Sequence, residues 1–157
     1  MTIVNTVKVV DYEPRYAQDF KDLNVAWISK HHVVEDVDIE VLDNPERYIL
    51  NDGGAILVAL LGDEVAGTCS LRNKGNGLYE LTKMTVREGM RGLKIGYLLG
   101  LATLDRAREL RAKHVELYSN RNTSAEAIQL YLKLGFTEIP LDTQAYARAN
   151  IKMIMDV

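Results

Sequence analysis

The chain contains 157 residues, of which 47% are hydrophobic and 26% are charged, and its formal net charge is -3. This length and balance are typical of one folded domain, spanning residues 1–157, and they disfavour a disordered chain. The mild acidity and the lack of a basic stripe disfavour nucleic acid as the main partner, and no segment reaches the ~18 apolar residues of a membrane span.

The N-terminal third is predicted to hold one strand and two helices. Residues 1–11 lack the cationic lead and long apolar run of a secretory signal, so a cytoplasmic location is expected. Residues 3–10 are rich in β-branched side chains and are predicted as a strand. Residues 15–30 carry apolar side chains at three- and four-residue steps, the spacing of an amphipathic helix. A poorer helical pattern covers residues 35–50 and is broken near Pro45.

The middle of the chain is predicted to form three strands, at residues 55–61, 64–71 and 78–86. Their connections are a tight turn at Gly62 and a second turn at residues 73–77, which together indicate an antiparallel meander. Cys69 lies in the apolar second strand and is the one cysteine of the chain, so we expect it in the core, without an internal disulfide.

The C-terminal half alternates helices and strands. The pattern predicts a loop at 87–95, a helix over 96–112, a strand over 115–119, a helix over 124–134, a strand after Phe136 and a final strand over 150–155. The complete order predicts an α+β fold with a mixed sheet. Edge strands at the C-terminus could also pair between subunits, which would give a homodimer.

The most informative segment, residues 84–96, runs from a strand through a glycine-bearing loop directly into a helix. The first N–H groups of a helix are unpaired and carry a partial positive charge, so a loop at that point forms an anion site. Gly92 and Gly96 allow close approach of a ligand, while Arg91 and Lys94 add charges that suit a pyrophosphate. The alternative is that the glycines serve turn geometry alone. The motifs that bind nucleoside triphosphates and nicotinamide dinucleotides are both missing.

This loop resembles motif A of the GCN5-related N-acetyltransferases, the GNAT family, in which an Arg/Gln-x-x-Gly-x-Gly/Ala loop cradles the pyrophosphate of coenzyme A. A second segment, residues 127–136, resembles the end of motif B, Ala-x-x-Leu-Tyr-x-Lys-x-Gly-Phe. Gly89 stands where the family usually has Arg or Gln, and Lys94 stands where it usually has Gly or Ala. Ser124 replaces a frequent Asn, whose polar contact Asn122 or, as we prefer, Asn120 would supply.

The resemblance implies the GNAT fold, a mixed and mostly antiparallel twisted sheet flanked by helices and opened between its fourth and fifth strands. It also implies a cytoplasmic, acetyl-CoA-dependent N-acetyltransferase that needs no metal. The acceptor would be a primary amine of a small metabolite, a peptide or a protein terminus. The residues expected to bind acetyl-CoA are Met84, Thr85, Val86, Arg91, Gly92, Leu93, Lys94, Ile95, Gly96, Asn120 and Ser124. A rival function is an acyl-CoA-binding sensor or partner module of the same fold, and an acyl group other than acetyl stays open.

Tyr131 is implied as the general acid, because it matches the family's tyrosine in motif B. A phenol with a pKa of about 10 can protonate a thiolate whose conjugate acid has a pKa of about 8.5. The alternative is that Tyr131 only packs against the core. In that case Tyr131 would donate no proton to the thiolate.

Glu80 is implied as the base, because some members of the family place a carboxylate in the fourth strand that deprotonates the incoming ammonium. The alternative is an ordinary solvated side chain. Strand alternation predicts which side chains share a face with it. One face would carry Glu80, Thr82 and Met84, and the other would carry Tyr79, Leu81 and Lys83.

His31 and His32 follow the first helix, in the region that borders the acceptor site of the resembled family. Adjacent side chains seldom point the same way, so we expect no metal site there, and a surface loop is the alternative. Glu35, Asp36 and Asp38 would make the acceptor pocket acidic and favour a cation, unless this charge run is a solvated face.

Overall fold

The computed structural model describes residues 6–90, 94–141 and 148–157. Its strands and helices, in chain order, are β1 (Val7–Asp11), α1 (Ala17–His31), α2 (Asp36–Asp43), β2 (Ala55–Leu61), β3 (Glu64–Gly75), β4 (Leu78–Val86), α3 (Ile95–Glu109), β5 (His114–Ser119), α4 (Ala125–Leu134), β6 (Thr137–Ile139) and β7 (Ile151–Asp156). A 3-10 turn at Pro14–Tyr16 precedes α1, and a π-helical turn at Glu46–Leu50 precedes β2. The helical pattern at 35–50 is therefore broken at Pro45, as predicted.

The strands form one seven-stranded sheet in the order β1-β2-β3-β4-β5-β7-β6. Every neighbouring pair is antiparallel except β4 and β5, which run parallel. These two strands pair only at Leu78 with His114, Tyr79 with Val115 and Glu80 with Glu116, whereas β4 continues to Val86. The sheet thus opens beyond Glu80. The predicted α+β fold, with its opening between the fourth and fifth strands, is confirmed.

Two element boundaries differ from the sequence prediction for local reasons. The turn expected at 73–77 is shorter, because β3 keeps pairing as far as Gly75, opposite Leu78, which leaves a two-residue turn. The helix expected to reach residue 112 ends at Glu109, and Arg111 follows with a φ of 62°, a left-handed conformation that a helix cannot contain. Residues 3–5 of the predicted first strand lie outside the described residues.

The two faces of the sheet bury separate sets of apolar side chains. Along β2, Leu57 belongs to the larger core under α3 and α4, while its neighbours Ile56 and Val58 pack with residues of α1. Cys69 lies in the larger core and is fully buried, as predicted, and burial raises the pKa of its thiol to about 12. No helix among the described residues is long and apolar enough to cross a membrane.

Gly54 offers a test of how tightly the π-helical turn packs on the sheet. A Cβ added there would lie 2.2 Å from the carbonyl oxygen of Leu71 and 2.7 Å from that of Ile49. Backbone atoms cannot rotate away, so Gly54→Ala is expected to lower the free energy of unfolding by about 3 kcal/mol in urea titrations.

Gly100→Ala is the matched control, because its added Cβ would meet only the side chain of Leu134, at 2.5 Å from Cδ1. The leucine can change rotamer, and alanine is the better helix former, so the change in stability should stay within about 1 kcal/mol. Equal losses in the two variants would contradict this account.

Candidate active site

A cavity of about 660 Å³ lies where β4 and β5 part. Its lining includes the start of α3 and, from the end of α1, Trp27, His31 and His32. The loop between β5 and α4, together with α4 itself, forms a further wall. The volume falls in the range of ordinary small-molecule sites.

The predicted site residues that the structure describes all line this cavity: Glu80, Met84, Thr85, Val86, Lys94, Ile95, Gly96, Asn120, Ser124 and Tyr131. Arg91, Gly92 and Leu93 lie outside the described residues. The fold therefore brings together side chains that are far apart in the sequence. Their roles in binding and catalysis stay predictions.

The start of α3 presents unpaired backbone donors to the cavity. Leu98 makes the first intrahelical bond, donating to the carbonyl oxygen of Lys94 at 3.0 Å, so the N–H groups of the preceding first turn have no acceptor inside the helix. Lys94, the N-cap residue, provides no side-chain cap and has a φ of 59°. An added Cβ on Gly96 would lie 3.1 Å from Leu130 Cδ2, so this glycine also lets α4 approach closely.

A β-bulge interrupts β4 beside the cavity. Ser70 pairs with Thr82 and Thr68 pairs with Thr85, so Lys83 and Met84 together oppose a single residue of β3. Lys83 takes the left-handed conformation, with a φ of 55°, and its carbonyl oxygen accepts a 3.3 Å hydrogen bond from the hydroxyl of Thr68.

The bulge overturns part of the predicted strand alternation. Met84 packs against the larger core, to which Tyr79 and Leu81 belong, although it was expected on the opposite face. Lys83 reaches Asp38 of α2 instead of sharing a face with Tyr79. The physical reason is the extra residue, since one inserted position reverses the facing of every side chain after it.

The edge of β4 that faces the cavity offers a backbone donor at Val86. The next residue, Arg87, donates its N–H to the carbonyl oxygen of Ala66 at 2.7 Å, on the β3 side. Backbone groups alternate between the two edges of an antiparallel strand, so the N–H of Val86 points away from β3 and toward the gap.

The position of Tyr131 is compatible with both interpretations, a core residue and a general acid, because it packs in the core and also lines the cavity. Its ring meets Phe136 edge to face at a centroid distance of 5.9 Å, and the residue is 7% exposed. Burial, with a smaller contribution from Cys69, raises the pKa of the phenol. The hydroxyl is therefore protonated at neutral pH, the state that a proton donor needs.

Glu80 is not the solvated side chain of the alternative interpretation, because it is only 1% exposed. It is the last residue of β4 that pairs with β5, opposite Glu116, so its position marks the point where the sheet opens. The two carboxylates have separate cations: Lys74 Nζ lies 3.5 Å from Glu80, and Lys152 Nζ lies 3.2 Å from Glu116. Buried charges need such partners to offset their lost hydration.

Asp38 is a buried carboxylate that pairs with Lys83 and Arg148, two of the residues that line the cavity. It is 1% exposed and accepts two hydrogen bonds from the guanidinium of Arg148, at 2.7 and 3.1 Å. Lys83 Nζ lies 3.8 Å away, and the N–H of Glu35 donates to the same carboxylate at 3.0 Å. Burial alone would raise the pKa of Asp38, but the bonds from Arg148 and Glu35 hold that pKa below its ordinary value.

The acidic run is divided between two environments, because Glu35 and Asp36 are exposed, as the solvated-face alternative requires, whereas Asp38 is buried. Glu35, Asp36 and Asp38 are not among the described residues that line the cavity, which is lined there by Lys83 and Arg148. The helix α2 turns Asp38 inward, where it serves as the N3 residue of a capping box. The sequence analysis did not predict that these two cations line the cavity. The bulge that redirects Lys83 and the pairing of Arg148 with Asp38 leave no recognisable pattern in the neighbouring residues.

The histidines at the end of α1 stack beside Trp27, with ring centroids 5.2 Å from it for His31 and 5.8 Å for His32. His32 Nε2 lies 3.2 Å from the hydroxyl of Thr123, which joins α1 to the opposite wall. Burial and the charge of Arg148 lower the pKa of His32, so it is neutral at pH 7. The described residues contain no group of three potential His, Cys, Asp or Glu ligands for a metal ion.

Asn120 shapes the loop between β5 and α4. Its Nδ2 donates to the carbonyl oxygen of Arg148 at 2.8 Å, and its Oδ1 accepts N–H bonds from Asn122 and Thr123 at 2.8 and 3.2 Å. Ser124 follows as the N-cap of α4 without a side-chain capping bond. The carboxamide of Asn120 is thus occupied by loop contacts, which makes this side chain a support for the cavity wall.

Comparisons with known proteins agree with this geometry. A model of the acetyltransferase (GNAT) family matches residues 17–136. A mycothiol acetyltransferase of Sanguibacter keddieii is 31% identical over 99 residues, which are 59% of this chain and 31% of that protein. The chain therefore spans about a third of the length of this curated relative.

Solved structures share the fold at low sequence identity. A GNAT-family acetyltransferase of Staphylococcus aureus Mu50 has a TM-score of 0.86 at 23% identity, over 96% of this chain and 99% of that one. An acetyltransferase of Bacillus subtilis, solved in complex with CoA, has a TM-score of 0.70 at 19% identity, over 98% and 99%. At these identities the likeness extends to the fold alone.

Replacing Asp38 should show how much its buried ion pairs contribute to the free energy of unfolding. Asp38→Asn is expected to lower the free energy of unfolding at pH 7 by about 3 kcal/mol, because it removes the buried carboxylate that pairs with both Arg148 and Lys83. Asp43→Asn on the same helix is the control, since its exposed pair with Lys21 should contribute about 0–1 kcal/mol.

The same variants should differ in their response to acid. A carboxyl group with a lowered folded pKa adds stability above its unfolded pKa of about 3.9, and this stability disappears as the pH falls through the folded value. Below about pH 4 the unfolding free energy of the wild type should therefore fall more steeply than that of Asp38→Asn. Parallel pH curves from urea unfolding would rule out this role.

Lys94 permits a test of backbone strain at the start of α3. A left-handed residue with a Cβ is unfavourable by roughly 1–2 kcal/mol, so Lys94→Gly should raise the free energy of unfolding by up to about 1 kcal/mol. Lys94→Ala removes the same charge but keeps the Cβ, and should leave stability unchanged. An equal gain in both variants would attribute the effect to charge and not to strain.

Proposed function

Because the chain belongs to the acetyltransferase (GNAT) family, we propose that it transfers the acetyl group of acetyl-CoA to a primary amine by direct attack. We assign this activity to residues 1–157 acting as one domain. The observation that carries the proposal is the cavity itself, which joins the uncapped start of α3 to the gap between β4 and β5. An elongated donor with an anionic end and a thioester end fits such a path.

In this proposal the pyrophosphate of acetyl-CoA lies against the start of α3 at Lys94, Ile95 and Gly96, and the predicted contacts of Arg91, Gly92 and Leu93 lie outside the described residues. The unpaired N–H groups of the first turn of α3 and the charge of Lys94 support this placement. The pantetheine arm follows β4 through the gap, where the N–H of Val86 is directed, with Met84 and Thr85 beside it. Asn120 and Ser124 hold the opposite wall.

Acetyl transfer requires deprotonation of the incoming ammonium, stabilisation of the oxyanion and protonation of the leaving thiolate. Described residues are available for each of these steps. The neutral amine nitrogen attacks the thioester carbon, a C–N bond forms, and the carbonyl oxygen gains negative charge that backbone N–H groups near Val86 stabilise. Collapse of this intermediate breaks the C–S bond, Tyr131 donates its phenolic proton to the leaving thiolate, and the proton that the nitrogen loses as the amide forms restores the phenol. Glu80 accepts a proton from the incoming ammonium, directly or through water.

Tyr131→Phe should separate chemistry from binding. Loss of a general acid typically slows a reaction by about 10²–10⁴-fold, so we expect kcat to fall in that range while the Kd for CoA stays within about twofold of the wild type. Thiol release measures kcat, and calorimetry measures the Kd. Unchanged turnover would remove the assignment of Tyr131 as the acid.

Tyr16→Phe serves as the matched control for this variant. Tyr16 has the same 7% exposure but lies in a separate core under α1, away from the cavity. It should keep wild-type turnover. A similar loss of activity in both variants would indicate a general effect of hydroxyl removal on the fold.

The rival function, an acyl-CoA sensor without catalysis, predicts a different result with a broad panel of amines. A sensor would bind CoA but would release no thiol that depends on the acceptor. An enzyme would release free CoA thiol and form an equal amount of N-acetylated amine, which mass spectrometry detects. A chain that binds no CoA would contradict both functions.

A further inference from the structure

We propose that the acceptor is a small amino acid, whose carboxylate is bound by Arg148 and Lys83 while its amine faces Glu80. The inference rests on the proposed function, because it names the substrate class of the same cavity. It is carried by the arrangement of charged side chains at the end of the cavity nearest α1, which differs from the arrangement expected from the sequence.

Two cationic side chains line this end of the cavity and are held in place from behind. The side chains of Arg148 and Lys83 are 20% and 10% exposed, whereas Asp38 is 1% exposed and lies outside the described lining. The Arg148 guanidinium donates two hydrogen bonds to the Asp38 carboxylate. Arg148 is thereby fixed in position, and its planar shape suits a carboxylate in the cavity.

Burial of these cations sets a condition on the acceptor. A ligand that fills the cavity displaces water from Lys83 and Arg148, which is costly unless the ligand brings a negative charge or good acceptors. A second cationic group on the acceptor would be repelled at the same place. Burial, with a contribution from Arg148, already lowers the pKa of Lys83, although Asp38 and Glu80 oppose this effect. The site thus favours an acceptor with an anionic group.

The position of Glu80 places the amine close to that anionic group. Glu80 and Lys83 belong to the same strand and are three residues apart, which corresponds to about 10 Å of extended backbone. The charge of Glu80 acts on Lys83, so the two side chains lie within electrostatic reach of each other. A compact zwitterion can satisfy both: its ammonium meets the carboxylate of Glu80, and its carboxylate meets the two cations.

The test uses matched acceptors that differ only in the carboxylate. Each of a set of free amino acids is compared with its amide and with the amine that lacks the carboxyl group, for example phenylalanine, phenylalaninamide and phenethylamine. Thiol release from acetyl-CoA gives kcat/KM for every compound. We expect at least one free amino acid to exceed its own amide by about 100-fold or more, since a site built for a polar group rejects analogues without it.

A double variant tests whether the named residues cause this preference. Asp38→Asn combined with Arg148→Gln removes one anion and one cation together, so the net charge around Lys83 is unchanged and the charge of Glu80 still acts on it. The preference for the amino acid over its amide should fall to about fivefold or less, mainly through KM, because the contact with the Arg148 guanidinium is lost and only Lys83 remains to bind the carboxylate. An unchanged Kd for CoA shows that the double variant is folded, and an unchanged preference in that folded variant would overturn the assignment.

The outcomes separate this proposal from the proposed function. Thiol release with amides and simple amines at rates equal to those of the free amino acids would overturn the amino acid proposal and leave acetyl transfer intact. Faster turnover of an amidated peptide with a glutamate side chain than of any free amino acid would also overturn it. CoA binding without thiol release from any acceptor would contradict both proposals together.

Discussion

The short parallel ladder between β4 and β5 is the constraint on which the site depends. These strands pair through Glu80 and then part, while β5 keeps its antiparallel pairing with β7 along its whole length. The bulge at Lys83 and Met84 lies just beyond the last pair, and bulges bend a strand and increase its twist. A sheet interior that would otherwise be a closed ladder therefore becomes a cavity with backbone groups along its edge.

The two ends of this cavity use different sources of charge. At α3 the charge comes from backbone N–H groups at an uncapped helix start, which tolerate side-chain changes such as Lys94 because the donors belong to the main chain. At the other end it comes from side chains, Lys83 and Arg148, which one buried carboxylate, Asp38, holds together. The charge at the start of α3 should therefore be tolerant of side-chain substitution, whereas the charge around Asp38 depends on individual residues.

Much of this protein could be predicted from local sequence. The strands at 55–61 and 78–86 were predicted with the bounds that the structure has, because β-branched and apolar runs between glycine turns have few other solutions. The glycine-bearing loop before α3 and the segment ending in Gly135-Phe136 also predicted the family that the comparisons support. Strand alternation failed only after Thr82, at a bulge that depends on pairing with β3 and not on the residues of β4 alone.

By itself, then, the sequence determined the elements, their order and the buried place of Cys69, since these follow from the spacing of apolar and turn residues, while its resemblance to the GNAT family implied which residues meet at the opening of the sheet. Only the tertiary structure decided which charges face the cavity. Asp38 and Arg148 are 110 positions apart, and their pairing turns an expected acidic pocket into a cationic wall. The cost of burying a charge depends on what lies next to it in space, and sequence spacing cannot specify that neighbour.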